Sequence, residues 1–116
     1  MTDANMAVER LTSYFETNRD RLVDEYFEFL RFQSISSERE YAPQMQACAG
    51  WLREKLTGAG FDVELWEGGG HPVVYASHMQ VPGAPTVMIY NHYDVQPVDP
   101  LELWHRDPFD PAIEQS

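Results

Sequence analysis

Cysteine is nearly absent. The sole cysteine, Cys48, excludes an intrachain disulfide and any structural zinc site built on several thiolates. Basic residues are scarce too. Eight Lys and Arg stand against 19 Asp and Glu, for a formal net charge of -11. The shortage is uneven: residues 1–57 carry 7 basic and 10 acidic side chains, whereas residues 58–116 carry only Arg106 against 9 acidic ones. No cluster of Lys and Arg exists to track a phosphate backbone or an anionic bilayer, which argues against nucleic acid and membrane as partners. Long apolar runs are missing, so no segment is built to span a bilayer. The first ten residues carry acidic side chains where a signal peptide would be apolar, and a cytoplasmic location is the expectation. Gly68-Gly-Gly70 lacks the spacing, the Lys and the helix cap of a phosphate loop. No serine lies in a nucleophile elbow.

What remains is an ordinary globular composition, 43% hydrophobic and 23% charged, in 116 residues. That length allows one domain with one modest core. Residues 6–33 have helical periodicity, with Leu22, Tyr26, Phe29 and Leu30 on one side; Val8, Leu11, Tyr14 and Phe15 belong either to an earlier helix, with a break at Asn18, or to the front of one long helix. Ser34-Ile-Ser-Ser37 interrupts it. Ser37 and Glu40 have the form of a capping box, and a second helix is expected to about Thr57. Tyr41, Met45, Cys48, Leu52 and Leu56 form its apolar stripe, which makes Cys48 a buried core thiol. Gly58 and Gly60 end it. The period then becomes two. Phe61, Val63 and Leu65 alternate with Asp62 and Glu64 as a half-exposed strand, and Val73–Ala76 forms a second. Thr86–Tyr90 reads as a third, apolar enough for burial on both faces. From Asn91 onward the chain is loop, because Pro97, Pro100, Pro108 and Pro111 forbid regular helix.

The third predicted strand delivers His92 to its carboxyl end, where α/β sheets gather their chemistry. His92 and Asp94 are two residues apart, so at strand spacing they share a face. Imidazole is a good zinc ligand, and a carboxylate on its second nitrogen fixes the tautomer. Asp94 fits that role or a ligand's. Taken bare, the pair also fits a satisfied polar loop. A catalytic zinc needs about three protein ligands. His71, His78, His105, Asp99, Glu102, Asp107 and Asp110 are available, each more readily read as structural or surface, and no Glu stands out as a general base.

The wording of several segments is more specific. Met88-Ile-Tyr-Asn-His-Tyr-Asp-Val-Gln-Pro97, followed by Trp104 and Asp107-Pro-Phe109, resembles the first metal-binding motif of the M20 family of zinc peptidases, in its dipeptidase and carnosinase-like branch. Ala49–Phe61 is similar to that family's helix before the first strand, and Glu67–Ala76 to its early strands. The likeness covers roughly residues 20–111. It implies that His92 binds zinc and that Asp94 orients His92. It implies a hydrolase of dipeptides or small peptides, with one or two Zn2+ ions (Mn2+ or Co2+ in their place), a metal-activated water and a glutamate base. It further implies a zinc-exopeptidase-type three-layer α/β sandwich with an inserted domain that often dimerises.

The bridging aspartate, the paired glutamates, a further acidic ligand and the last histidine of that family have no counterpart here. Residues 1–116 are therefore expected to form the N-terminal part of the catalytic domain, two or three helices followed by three strands. A three-strand piece of a larger, parallel-leaning sheet leaves an edge and a face uncovered. The isolated chain is expected to be inactive, to be marginally stable or self-associating, and to bind a metal weakly at best. Two other readings stand beside this one. The first is a deacylase or desuccinylase of N-acyl amino acids. The second is an inactive truncated product that binds a partner through its open face.

Overall fold

A computed structural model describes residues 2–115. Its elements are helix α1 (Asp3–Arg31), helix α2 (Ala42–Gly58), strand β1 (Asp62–Trp66) and strand β2 (Val73–Ser77). Single 3-10 turns lie at Arg39–Tyr41 and Leu101–Leu103. Helices come first and the sheet follows, an α/β arrangement.

α1 is one helix of 29 residues, roughly 44 Å long at 1.5 Å per residue. Thr2 caps it by accepting from the Asn5 N–H at 3.3 Å. Of the two arrangements open in the sequence, the single long helix is the one formed, without a break at Asn18. Its Nδ2 donates back to the Tyr14 carbonyl at 2.9 Å, so the amide is satisfied inside the helix instead of competing with it. The C-terminal turns dock on α2 through Trp51, which stacks on Phe29 at 5.9 Å and meets Phe32 edge-on at 6.0 Å. Its indole N–H donates to Glu28 at 3.0 Å. The N-terminal turns meet nothing comparable, and Met6, Val8, Leu11, Tyr14 and Phe15 are all exposed.

The expected capping box of Ser37 and Glu40 is also absent. The chain winds first into the Arg39–Tyr41 turn, and Tyr41 precedes α2 without a side-chain cap. Pro43 in the first turn has no N–H to satisfy, which lessens the need for one. α2 ends in a Schellman motif. The Gly60 N–H reaches the Thr57 carbonyl at 3.0 Å, and the Phe61 N–H reaches that of Leu56 at 3.0 Å, with Gly60 at φ 98°. Met45 and Cys48 of the predicted stripe are buried, with Ala49 beside them, and Tyr41, Leu52 and Leu56 are half-buried.

β1 and β2 pair antiparallel, Asp62 opposite Ser77 and Trp66 opposite Val73. Residues 67–72 are too short for a parallel crossover, and Gly69 at φ 90° helps turn the chain back. The third strand is not found. Val87, Met88, Ile89 and Tyr90 are 81–90% exposed and no ladder partner lies beside them among the described residues. An apolar sequence favours a central strand only when two neighbours supply hydrogen bonds and cover. The buried apolar core is small: Ile35, Met45, Cys48 and Ala49 where α2 meets the link from α1.

Candidate functional site

The loop after residue 90 is positioned by backbone bonds to the Ser34–Ser36 segment. Val95 donates to the Ser34 carbonyl at 2.9 Å, and Ile35 and Val95 form a parallel bridge. The Ser34 hydroxyl, itself buried, donates to the Tyr93 carbonyl at 2.9 Å. The Tyr93 hydroxyl donates to the Pro72 carbonyl just before β2. The loop is thus tied to the link between the helices and to the start of the second strand. His92 reaches its place without the strand that the sequence predicts beneath it.

His92 and Asp94 meet. Nδ1 of His92 lies 3.1 Å from Oδ1 of Asp94 and 3.0 Å from the Asp94 carbonyl. Both neighbours are acceptors, so in the neutral ring Nδ1 carries the proton and Nε2 keeps its lone pair. The His92 side chain is 82% exposed, so that lone pair is open. The second carboxylate oxygen of Asp94 accepts from the Ser36 hydroxyl. That bond, before any other cause, holds Asp94 below the usual carboxylate range. Partial burial works against it, and His92 adds a smaller pull downward.

Nearby, burial pushes the Cys48 thiol up to about 11, with the Ser34 hydroxyl opposing. Burial raises the Tyr93 phenol as well, helped by Cys48 and Asp94. These shifts suit packing groups, not a nucleophile.

The remaining candidates disperse. His71 is spent on the Ser36 carbonyl, 2.8 Å from its Nε2. His78 packs against Phe61 at 5.7 Å. His105, Asp99 and Glu102 are exposed. Asp107 caps the Phe109 N–H at 2.8 Å, and Asp110 pairs with Arg106 at 3.1 Å. Among the described residues no three of His, Cys, Asp and Glu come close enough to hold a metal ion. His92 fits one position of a zinc shell, and the donor set among the described residues does not complete one.

Sequence reasoning reads Ser34-Ile-Ser36 only as a break. The one signal available is its polar–apolar–polar alternation, which puts both hydroxyls on one side of an extended segment.

No protein-family model matches the chain. Individual proteins do. It is 32% identical over 99 residues to a cysteinylglycine-S-conjugate dipeptidase of Corynebacterium striatum, covering 80% of this chain and 21% of that protein. It is 39% identical over 71 residues to a succinyl-diaminopimelate desuccinylase of Xanthomonas oryzae, covering 61% and 18%. The solved structure of the dipeptidase Dug1p from Saccharomyces cerevisiae superposes with a TM-score of 0.76 at 21% identity, over 86% of this chain and 23% of that one. The chain thus spans about a fifth to a quarter of the proteins it matches. Over the matched segment it carries the fold of an M20-family peptidase, on the branch of the dipeptidases and desuccinylases.

Proposed function

We propose that residues 1–116 form the N-terminal part of the catalytic domain of an M20 metal-dependent hydrolase, with His92 as a metal ligand and Asp94 as the residue that orients it. The observation that carries this reading is the Nδ1 contact of His92 with Asp94, which leaves an exposed Nε2 lone pair. A metal-ligating histidine commonly has such a second partner. Zinc is the ion proposed, with Mn2+ or Co2+ able to replace it. Bound there together with further ligands from outside this chain, it would supply Lewis-acid polarisation of an amide carbonyl. His92 itself would hold position, its proton fixed on Nδ1 by Asp94. The rest of the catalytic domain and a dimerisation domain belong to the longer protein in this reading. A cytoplasmic location agrees with the single, buried cysteine.

The proposed substrates are dipeptides of the cysteinylglycine kind, as in the Corynebacterium relative's name. A second reading is removal of an N-succinyl group from an amino acid, favoured by the higher identity, 39%, to the desuccinylase. The intact polypeptide from its native source separates the two. With zinc supplied, it is assayed on cysteinylglycine and on an N-succinyl amino acid. His92→Ala is expected to abolish whichever activity is present. Hydrolysis that survives this substitution, or a zinc-loaded polypeptide that cleaves no amide, overturns the proposal.

A further inference from the structure

The contacts of Asp94 reach beyond its own loop. Its Oδ1 faces Nδ1 of His92, and its Oδ2 accepts from Ser36, 58 residues earlier in the chain. Ser36 does not meet Asp94 by chance of rotamer. The 34–36 and 93–95 segments run side by side, registered by the Val95-to-Ser34 backbone bond, the Ser34 hydroxyl on Tyr93 and the Ile35–Val95 bridge. The Ser36 carbonyl is held in turn by His71 at 2.8 Å. Ser36 is thus fixed at its backbone on one side and gives its hydroxyl to Asp94 on the other.

A carboxylate held at one oxygen cannot spin freely about its χ2 bond. We infer that Ser36 is a positioning residue: by occupying Oδ2 it aims Oδ1 of Asp94 at His92, and so, beside the Asp94 carbonyl 3.0 Å from the same nitrogen, helps to keep the His92 proton on Nδ1 and the lone pair on Nε2. The metal-binding consequence rests on the function proposed above, but the tautomer itself does not. Ser36 touches neither substrate nor metal in this scheme. It acts only through Asp94.

The test is the tautomer of His92 in the metal-free chain, read from long-range 1H–15N spectra at a pH where the ring is neutral, with His92→Gln assigning the signal. The wild-type ring is expected as the Nδ1–H form. Ser36→Val, which leaves the Asp94 carbonyl as the fixed acceptor, should lower the Nδ1–H share, and Ser36→Thr, of nearly the same shape but with a hydroxyl, should keep it. The Thr/Val pair separates the hydroxyl's role from packing, so a poorly folded Ser36→Ala variant is not needed. A wild-type ring protonated on Nε2, or a Val variant as uniform as wild type, overturns the inference. Zinc chloride is then titrated into the intact polypeptide, which supplies the further ligands of the proposed site, while the Nε2 resonance is followed. If the tautomer depends on Ser36 but zinc leaves Nε2 unmoved, the positioning stands and the metal reading falls. If zinc binds Nε2 equally in the Val and Thr variants, the positioning fails and the metal reading stands. With both correct, zinc binding weakens on the order of 10- to 100-fold in Ser36→Val and is rescued in Ser36→Thr.

Discussion

Cys48 and Asp94 sit within the same small cluster and titrate in opposite directions, each with a measurable result. Cys48 is fully buried and its thiol is pushed up to about 11, so it should resist alkylation. Labelling by a disulfide reagent near neutral pH should be slower by about 100-fold than in denaturant, because reaction must await opening. Its folded value lies above its unfolded one. The unfolded chain therefore loses the proton first as pH rises, so this contribution to stability is whole below about 9 and is lost towards about 11. Urea midpoints measured across that window should fall in the wild type, and the fall should be shallower in Cys48→Ala. Asp94 is the mirror case. Its folded value lies below its unfolded one, chiefly through Ser36, so its contribution is whole above the ordinary carboxylate range, at about pH 4. It is lost as pH falls through the depressed value. Asp94→Asn should be less stable than wild type at pH 7, and the two urea midpoints should converge in acid. A gap that persists unchanged at low pH would remove the charge from the explanation.

The end of α2 allows a matched comparison. Gly58 lies in the helix and Gly60 just beyond it at φ 98°, and a Cβ added to either meets nothing within 4 Å. Space is equal, so backbone conformation alone decides. Gly58→Ala should stabilise by up to about 1 kcal/mol through helix propensity, and Gly60→Ala should destabilise by about 1–2 kcal/mol through its left-handed backbone. Thermal unfolding of both variants checks the opposite signs. That terminus was readable in the linear chain because two glycines close a four-turn stripe, and local signals of this sort decide local structure. The apolar face of α2 and the alternation of β1 were readable for the same reason. The failures and the open choices lie where a second segment has the vote. Asn18 is a turn-former that left a break open, yet Tyr14 one turn back offers its carbonyl and Arg21 lies 3.0 Å from the Tyr14 hydroxyl. Thr86–Tyr90 has the composition of a central strand, but a strand exists only with a partner to bond. In the candidate site, the His92–Asp94 spacing was visible. The link to Ser36 was not, since it spans 58 residues and depends on the register of two extended segments.

The chain as a whole is spread out. Its radius of gyration is 17.5 Å, against about 13 Å for a compact domain of this size. Its accessible surface is 9661 Å2, whereas a compact monomer of 13.4 kDa would show roughly 6,500 Å2. The excess includes apolar groups set close together: Val87, Met88, Ile89 and Tyr90 along one extended run, and Leu11, Tyr14 and Phe15 along α1. A patch of that kind favours association, and an extended run with unpaired backbone adds an edge for strand pairing. The net charge of -11 opposes it. The balance must then depend on ionic strength. At 10 mM salt the screening length is about 30 Å and the chains repel across a distance comparable to their own size, whereas at 0.15 M it is about 8 Å. Sedimentation of the 116-residue chain should therefore show a monomer at low salt and concentration-dependent oligomers at physiological salt. A dye that binds exposed apolar surface should light up in both, since the patch is present before the chains meet. Met88→Asp with Ile89→Asp should abolish the oligomers at either salt while leaving the far-UV spectrum unchanged, because neither residue belongs to a helix or a paired strand. Oligomers that persist in that double variant would shift the contact to the apolar face of α1, and Leu11→Asp would then be the substitution that removes them.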